Sequence, residues 1–157
     1  MRFLLDDDFV EVNAMADTLV KTFPDGERIS VEDNAICVLR TAKGAMGTVI
    51  TSWTYQVEEN KTMIYGDKGV LSIYSDPEFP LILQHDHETG AFFRLGKKST
   101  NIEQVKSGII DAFVDALRNN KEVPIPGLEG YKALEAVIAC QKSAGTGDRV
   151  QIDSDAH

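Results

Sequence analysis

The stretch Asp33–Tyr55, DNAICVLRTAKGAMGTVITSWTY, decides the fold. Apolar and polar residues alternate along both of its halves, the period-two pattern of strands with one buried face. The halves, about Asp33 to Thr41 and about Ala45 to Tyr55, are separated by Ala42-Lys43-Gly44, short and glycine-bearing. Such a turn joins antiparallel neighbours, since parallel strands need a long crossover. The centre of the chain is therefore an antiparallel hairpin.

The same period extends outward on both sides. Val10, Val12, Ala14 and Ala16 fall on one side of an earlier strand, with Glu11, Asn13 and Asp17 on the other. Phe23-Pro24-Asp25-Gly26 breaks that run before the central hairpin begins. Downstream, Thr62–Tyr65 and Val70–Tyr74 flank the tight turn Gly66-Asp67-Lys68-Gly69. Leu81-Ile82-Leu83 and Phe92–Leu95 read as another hairpin with Thr89-Gly90 at its tip.

After Asn101 the period becomes helical. Ile102, Val105, Ile109, Phe113 and Leu117 form one stripe, ended by Asn119-Asn120. Pro124-Ile125-Pro126-Gly127 is a stiff connector. A second helix follows from about Glu129 to Ser143, expected to bury Leu134, Val137 and Ile138, and Val150-Gln151-Ile152 makes a last strand. Strands first and helices afterwards gives the α+β class: one domain over residues 1–157, a large and mostly antiparallel open sheet with two C-terminal helices packed on one face.

Composition restricts the partners. The net charge of −9 argues against nucleic acid, whose phosphates are held by clustered Lys and Arg, and against an anionic membrane surface. No run approaches the roughly 20 apolar residues of a membrane span. Met1–Leu5 runs straight into Asp6-Asp7-Asp8 without the pattern of a secretory leader, so a cytoplasmic location is expected. The two cysteines, Cys37 and Cys140, lie in apolar runs and are expected to be buried and reduced.

Chemistry-bearing motifs are sparse. A Rossmann unit needs Gly-x-Gly-x-x-Gly between a strand and a helix so that amides reach the pyrophosphate, and no segment has that pattern. No cofactor-binding and no catalytic residue is assigned. His85-Asp86-His87-Glu88 resembles a metal site, because alternate residues of a strand share a face. A polar hairpin end explains it better, and no metal residue is assigned. Trp53 and Tyr55 share a face at the end of the third strand. Such aromatics either line a substrate pocket or pack the sheet, and both are carried as candidate substrate-binding residues.

Several segments in series resemble the C-terminal domain of the Gfo/Idh/MocA oxidoreductases, the glucose–fructose oxidoreductase and inositol dehydrogenase family. They are Glu32–Ala35 with Gly44–Thr48 and Ser52-Trp53, then Ile64–Leu71, Asp111–Leu117 with Val123-Pro124, and Ala133–Val137 through to Ile152. The resemblance implies a parent enzyme whose N-terminal Rossmann domain holds NAD or NADP. It implies that this domain contacts a small-molecule substrate, a sugar, polyol or related hydroxylated compound, and forms homo-oligomers through the open sheet face. The family's Glu-Lys-Pro lysine and its Asp and His pair have no counterpart here. The chain is expected to begin just after them and to be inactive alone. The alternative is a free-standing α+β ligand-binding or dimerisation module.

Overall fold

A computed structural model describes residues 1–56, 61–76, 78–85, 92–95 and 108–153. The chain packs as two compact units, one formed by residues 1–55 and 110–157, the other by residues 56–109.

The first unit opens with a short helix, α1 (Arg2–Leu5), and continues into β1 (Phe9–Asp17), β2 (Asn34–Thr41) and β3 (Met46–Ser52). Its later elements are α2 (Ile109–Arg118), α3 (Gly127–Thr146) and β8 (Val150–Gln151). The sheet order is β3-β2-β1-β8 and every pairing is antiparallel. Register places Ala14 opposite Cys37 and Cys37 opposite Val49, while Met15, Ile36 and Ile50 form the neighbouring row. Because strand side chains alternate, these two rows lie on opposite faces.

The row bearing Ala14 faces α3. Val12, Ala14 and Leu39 are buried there with Ala136, Ala139 and Ile152, and Met1, Phe9, Cys37, Cys140, Ala144 and Val150 pack around them. The helix presents its small residues to the sheet. Leu134, Val137 and Ile138, expected from their size to be buried, are each more than half exposed. Ala136, Ala139 and Ser143 recur at helical spacing on the opposite stripe, and their short side chains let the helix axis approach the strands closely. Volume at the contact, rather than hydrophobicity alone, selected the buried face.

Ser143 fixes that approach. β8 pairs with β1 only at Glu11 and Val12, so the next N–H on that edge, Ala14, lies past the end of the short strand. The Ser143 Oγ accepts from it at 2.9 Å and donates to the Asp148 carbonyl at 2.6 Å. Gly147, left-handed at φ 76°, ends α3 and returns its N–H to the Ser143 carbonyl. That reversal delivers Val150 to the edge of β1.

α2 departs from the expected two-helix layer. It buries Ala116, while Ile110, Phe113 and Leu117 remain exposed. Asn120, left-handed at φ 50°, terminates it, as the Asn119-Asn120 pair implied. Ile102 and Val105, the first part of the expected stripe, lie outside the described residues.

The second unit holds β4 (Thr62–Gly66), β5 (Gly69–Ile73), β6 (Leu81–Gln84) and β7 (Phe92–Leu95) as an antiparallel meander in that order. The strands are thus hydrogen-bonded as two four-stranded sheets, where a single larger sheet was expected; the α+β class and the antiparallel pairing stand. Asp67 and Lys68 form the two-residue turn between Gly66 and Gly69. Gly69 has φ +150°, and a Cβ there would sit 2.3 Å from the Gln84 carbonyl oxygen of the neighbouring strand. No larger residue fits without moving β6.

The Ser143 bridge gives a direct prediction. Ser143 is fully buried, and Ser143→Ala leaves the Ala14 N–H and the Asp148 carbonyl without their partner. The variant is expected to lose about 1–3 kcal/mol, read as a lower urea midpoint at unchanged slope.

Candidate functional site

The residues with the most chemistry to offer gather where β1, β2 and β3 end together. The connection from β1 to β2, residues 18–33, folds back over this edge. Gly26 turns its tip at φ 90°, and the Asp25 carboxylate accepts from the Glu27 N–H at 3.0 Å. Asp33 closes the connection. Its carboxylate accepts N–H bonds from Leu19 at 2.8 Å, Val20 at 2.9 Å and Lys21 at 2.7 Å, and from Asn34 Nδ2 at 2.7 Å. Its main chain donates to the Asp17 carbonyl at 3.1 Å and accepts from the Trp53 N–H at 2.9 Å.

One side chain therefore gathers a nest of three consecutive amides, and its backbone joins the ends of β1 and β3. Burial disfavours the charged carboxylate. The three amides and the Asn34 amide outweigh it, and Asp33 is held well below the ordinary carboxylate range. A carboxylate so saturated with donors is a structural anion. It has no spare lone pair with which to accept a proton from substrate.

Beside it lies a polar row in register, Asp17, Asn34 and Ser52. The Ser52 and Thr54 hydroxyls are 2.9 Å apart, and Asn34 Nδ2 donates to Thr54 Oγ1 at 3.2 Å. The Thr54 N–H turns back to Ser52 Oγ at 3.0 Å. This turn ends β3 at Ser52, so the third strand stops short of Tyr55 and the two aromatics do not share a strand face. Trp53 is 70% exposed and Tyr55 59% exposed. Neither is buried in sheet packing, and both present flat apolar area next to hydroxyl and amide groups.

The sequence singled out Trp53 and Tyr55 and missed the Asp33–Asn34–Ser52–Thr54 network behind them. The available signal was Asp33-Asn34 at a strand start, residue types that hydrogen-bond nearby backbone. His85 follows β6, while Asp86, His87 and Glu88 lie outside the described residues. Among the described residues no group of three or more His, Cys, Asp or Glu side chains is placed to hold a metal ion. No described helix is long and apolar enough to cross a membrane.

A shallow depression lined by Arg2, Asp8, Phe9, Lys132, Glu135, Ile152 and Asp153 lies elsewhere on this unit. Its charges serve each other. Arg2 bonds Asp8 at 2.6 Å and Glu129 at 2.8 Å, and Lys132 also bonds Asp8. Lys132 first, and Arg2 after it, hold the Asp8 carboxyl below its usual range. The cluster fastens α1 to α3.

The Asp33 nest predicts a pH dependence. Its folded pKa lies below the unfolded value of about 3.9, so its contribution is complete above that pH and is lost as pH falls through the folded value. Asp33→Asn should lower the thermal midpoint at pH 7, and the gap to the native protein should narrow below about pH 4. Calorimetric scans from pH 7 down to pH 2 read both effects.

Residues 1–72 match the model of the GFO/IDH/MocA C-terminal domain. Among curated proteins none matches the chain. Among solved structures, an oxidoreductase domain protein from Kribbella flavida superposes with a TM-score of 0.81 at 20% identity, covering 98% of this chain and 47% of that one. Levoglucosan dehydrogenase in complex with NADH and levoglucosan gives 0.79 at 21% identity, with 98% and 47% covered. Aldose-aldose oxidoreductase from Caulobacter crescentus, complexed with glycerol, gives 0.72 at 22% identity, with 96% and 43% covered. At these identities the likeness is one of fold, and the chain spans about half the length of each of these proteins. The likeness in fold extends over almost the whole chain, and its first 72 residues match the GFO/IDH/MocA C-terminal domain model.

Proposed function

We propose that this chain, residues 1–157, is the C-terminal domain of an NAD(P)-dependent dehydrogenase acting on a sugar, polyol or related hydroxylated small molecule in the cytoplasm. The observation that carries this reading is the superposition of nearly all of the chain on about half of levoglucosan dehydrogenase, a protein seen with NADH and levoglucosan. An N-terminal Rossmann domain would hold the dinucleotide, since hydride transfer belongs to the cofactor and the protein's task is to position it. This domain contributes substrate contacts and assembly.

Trp53 and Tyr55 are the proposed substrate contacts. A sugar ring offers C–H faces to an aromatic plane and hydroxyls to amides and other hydroxyls. Trp53 and Tyr55 stand exposed beside Asn34, Ser52 and Thr54. The depressed, fully bonded Asp33 supports a positioning role for this edge, with the proton-transfer groups supplied by the other domain.

Assembly uses the sheet face turned away from α3. There Met15, Ile36 and Ile50 form an exposed apolar row across three strands, and Val38 stands beside it. Thr48 and Ser52 share that face by alternation, and Ile50 is 57% exposed. Apolar rows of this kind, rimmed by polar residues, fit a second copy of the same surface in a two-fold dimer. A specific contact should bury at least about 1,000 Å².

The product of the complete reading frame is expected to reduce NAD or NADP with a member of a sugar and polyol panel. In it, Trp53→Ala should raise KM on the order of tenfold at nearly constant kcat. The 157-residue domain alone should bind neither dinucleotide in calorimetric titration. No turnover on any panel member, or a micromolar dinucleotide site in the isolated domain, counts against the assignment. For assembly, sedimentation equilibrium at micromolar concentration should show a dimer or higher even oligomer that Ile50→Glu dissociates. A monomeric native chain removes the self-association, and an unchanged oligomer in a folded Ile50→Glu variant removes this choice of face.

A further inference from the structure

The two cysteines of the chain are far apart in sequence and meet in the fold. Cys37 stands on the α3 side of β2, directly opposite Ala14 of β1. Ala14 is the residue whose N–H is held by Ser143 at 2.9 Å, and Cys140 precedes Ser143 by three residues on the helix. Cys140 and Ser143 lie about one turn apart on α3, which packs against β1, the neighbour of the strand that carries Cys37. Both side chains pack against the same core cluster, both are partly exposed, and Cys37 lies close enough to act on the Cys140 thiol. The sequence led to the expectation that each would be a buried, reduced residue. Instead both are half-buried, and they lie near each other.

We propose that Cys37 and Cys140 form a reversible disulfide that staples α3 to β2 when the protein meets a peroxide or glutathione disulfide. The reduced pair is the resting state. With hydrogen peroxide, the Cys37 thiolate attacks one oxygen, the O–O bond breaks, and hydroxide leaves and takes up a proton as water. The resulting sulfenic acid is then displaced by the Cys140 sulfur. The S–S bond forms, and the sulfenic hydroxyl leaves with the Cys140 proton as a second water. Two thiols are oxidised and one peroxide is reduced to two waters. With glutathione disulfide, two exchange steps release two glutathione thiols.

Burial first, and then the hydrogen bond and charge of Cys37, push the Cys140 thiol up to about 12, so it remains protonated near neutral pH. Cys37 is assigned as the entering thiol and Cys140 as the resolving one. Closing a loop of roughly a hundred residues restricts the unfolded chain strongly, and the staple joins layers already in contact.

The full chain is treated with hydrogen peroxide or, separately, glutathione disulfide, alkylated, and mapped by peptide mass spectrometry. The expected product is an intramolecular Cys37–Cys140 linkage, lighter by two hydrogens and reversed by dithiothreitol. Its thermal midpoint should rise on the order of 5 °C, and its rate of formation should increase with pH. In a folded Cys140→Ser variant, dimedone should capture a sulfenic acid at Cys37. Separate alkylation of both cysteines after oxidant, sulfinic acids without a linkage, or linkages only between chains would each overturn the proposal. A Cys140→Ser variant that folds and yields no dimedone adduct at Cys37 would overturn the order of attack.

Discussion

The close seat of α3 on β1 is the contact on which the first unit depends. A helix can lie that near a sheet only where its side chains are short, and Ala136, Ala139 and Ser143 provide such a stripe. Their apolar area is modest, so hydrophobic burial alone holds the helix weakly. The Ser143 hydroxyl adds direction, occupying the ladder position that the two-residue β8 leaves open at Ala14. The same hydroxyl ties down the Asp148 carbonyl, and with it the turn that starts β8. Helix depth and strand closure both follow from one short polar side chain.

A second fixed point controls the opposite end of the strands. Without the Asp33 nest, residues 18–33 would need another partner for three consecutive amides. Through its own backbone the same residue sets where β3 stops and where Trp53 leaves the sheet. The exposed aromatics thus stand on a rigid support although they lie beyond the last ladder bond. Positioning on rigid elements is what a contact residue needs if it is to hold a ligand in one orientation.

Much of this was legible in the amino-acid order. The hairpin of β2 and β3, the tight turn between Gly66 and Gly69, the span Phe92–Leu95 and the helix stop at Asn119-Asn120 all follow from period and turn chemistry. The buried stripe of α3 was not. The helix carries apolar residues on two stripes, and hydropathy favours the one bearing Leu134, Val137 and Ile138. Close approach to the sheet favours the other, and a helical wheel contains no distance to a neighbour. The end of β3 was misjudged for a related reason. Alternation continues through Trp53 and Tyr55, while the Ser52 hydroxyl, a local competitor for the Thr54 N–H, ends the ladder. The Asp33 nest depends on a partner segment some fourteen residues away, beyond the reach of any local pattern.

The inverted placement of α3's side chains bears on how the domain behaves as a material. Leu128, Tyr131, Leu134, Val137 and Ile138 face outward on one side of the first unit, and Met15, Ile36, Val38 and Ile50 on the other. The unit is greasy on both of its broad surfaces, and the net charge of −9 opposes non-specific association beyond any specific contact. Salt shortens the range of that repulsion, and protonating the carboxylates removes it near the isoelectric point, before the pH reaches the range in which the Asp33 contribution is lost. Storage of the isolated domain is accordingly governed by ionic strength and by distance from its isoelectric point, well before unfolding sets in.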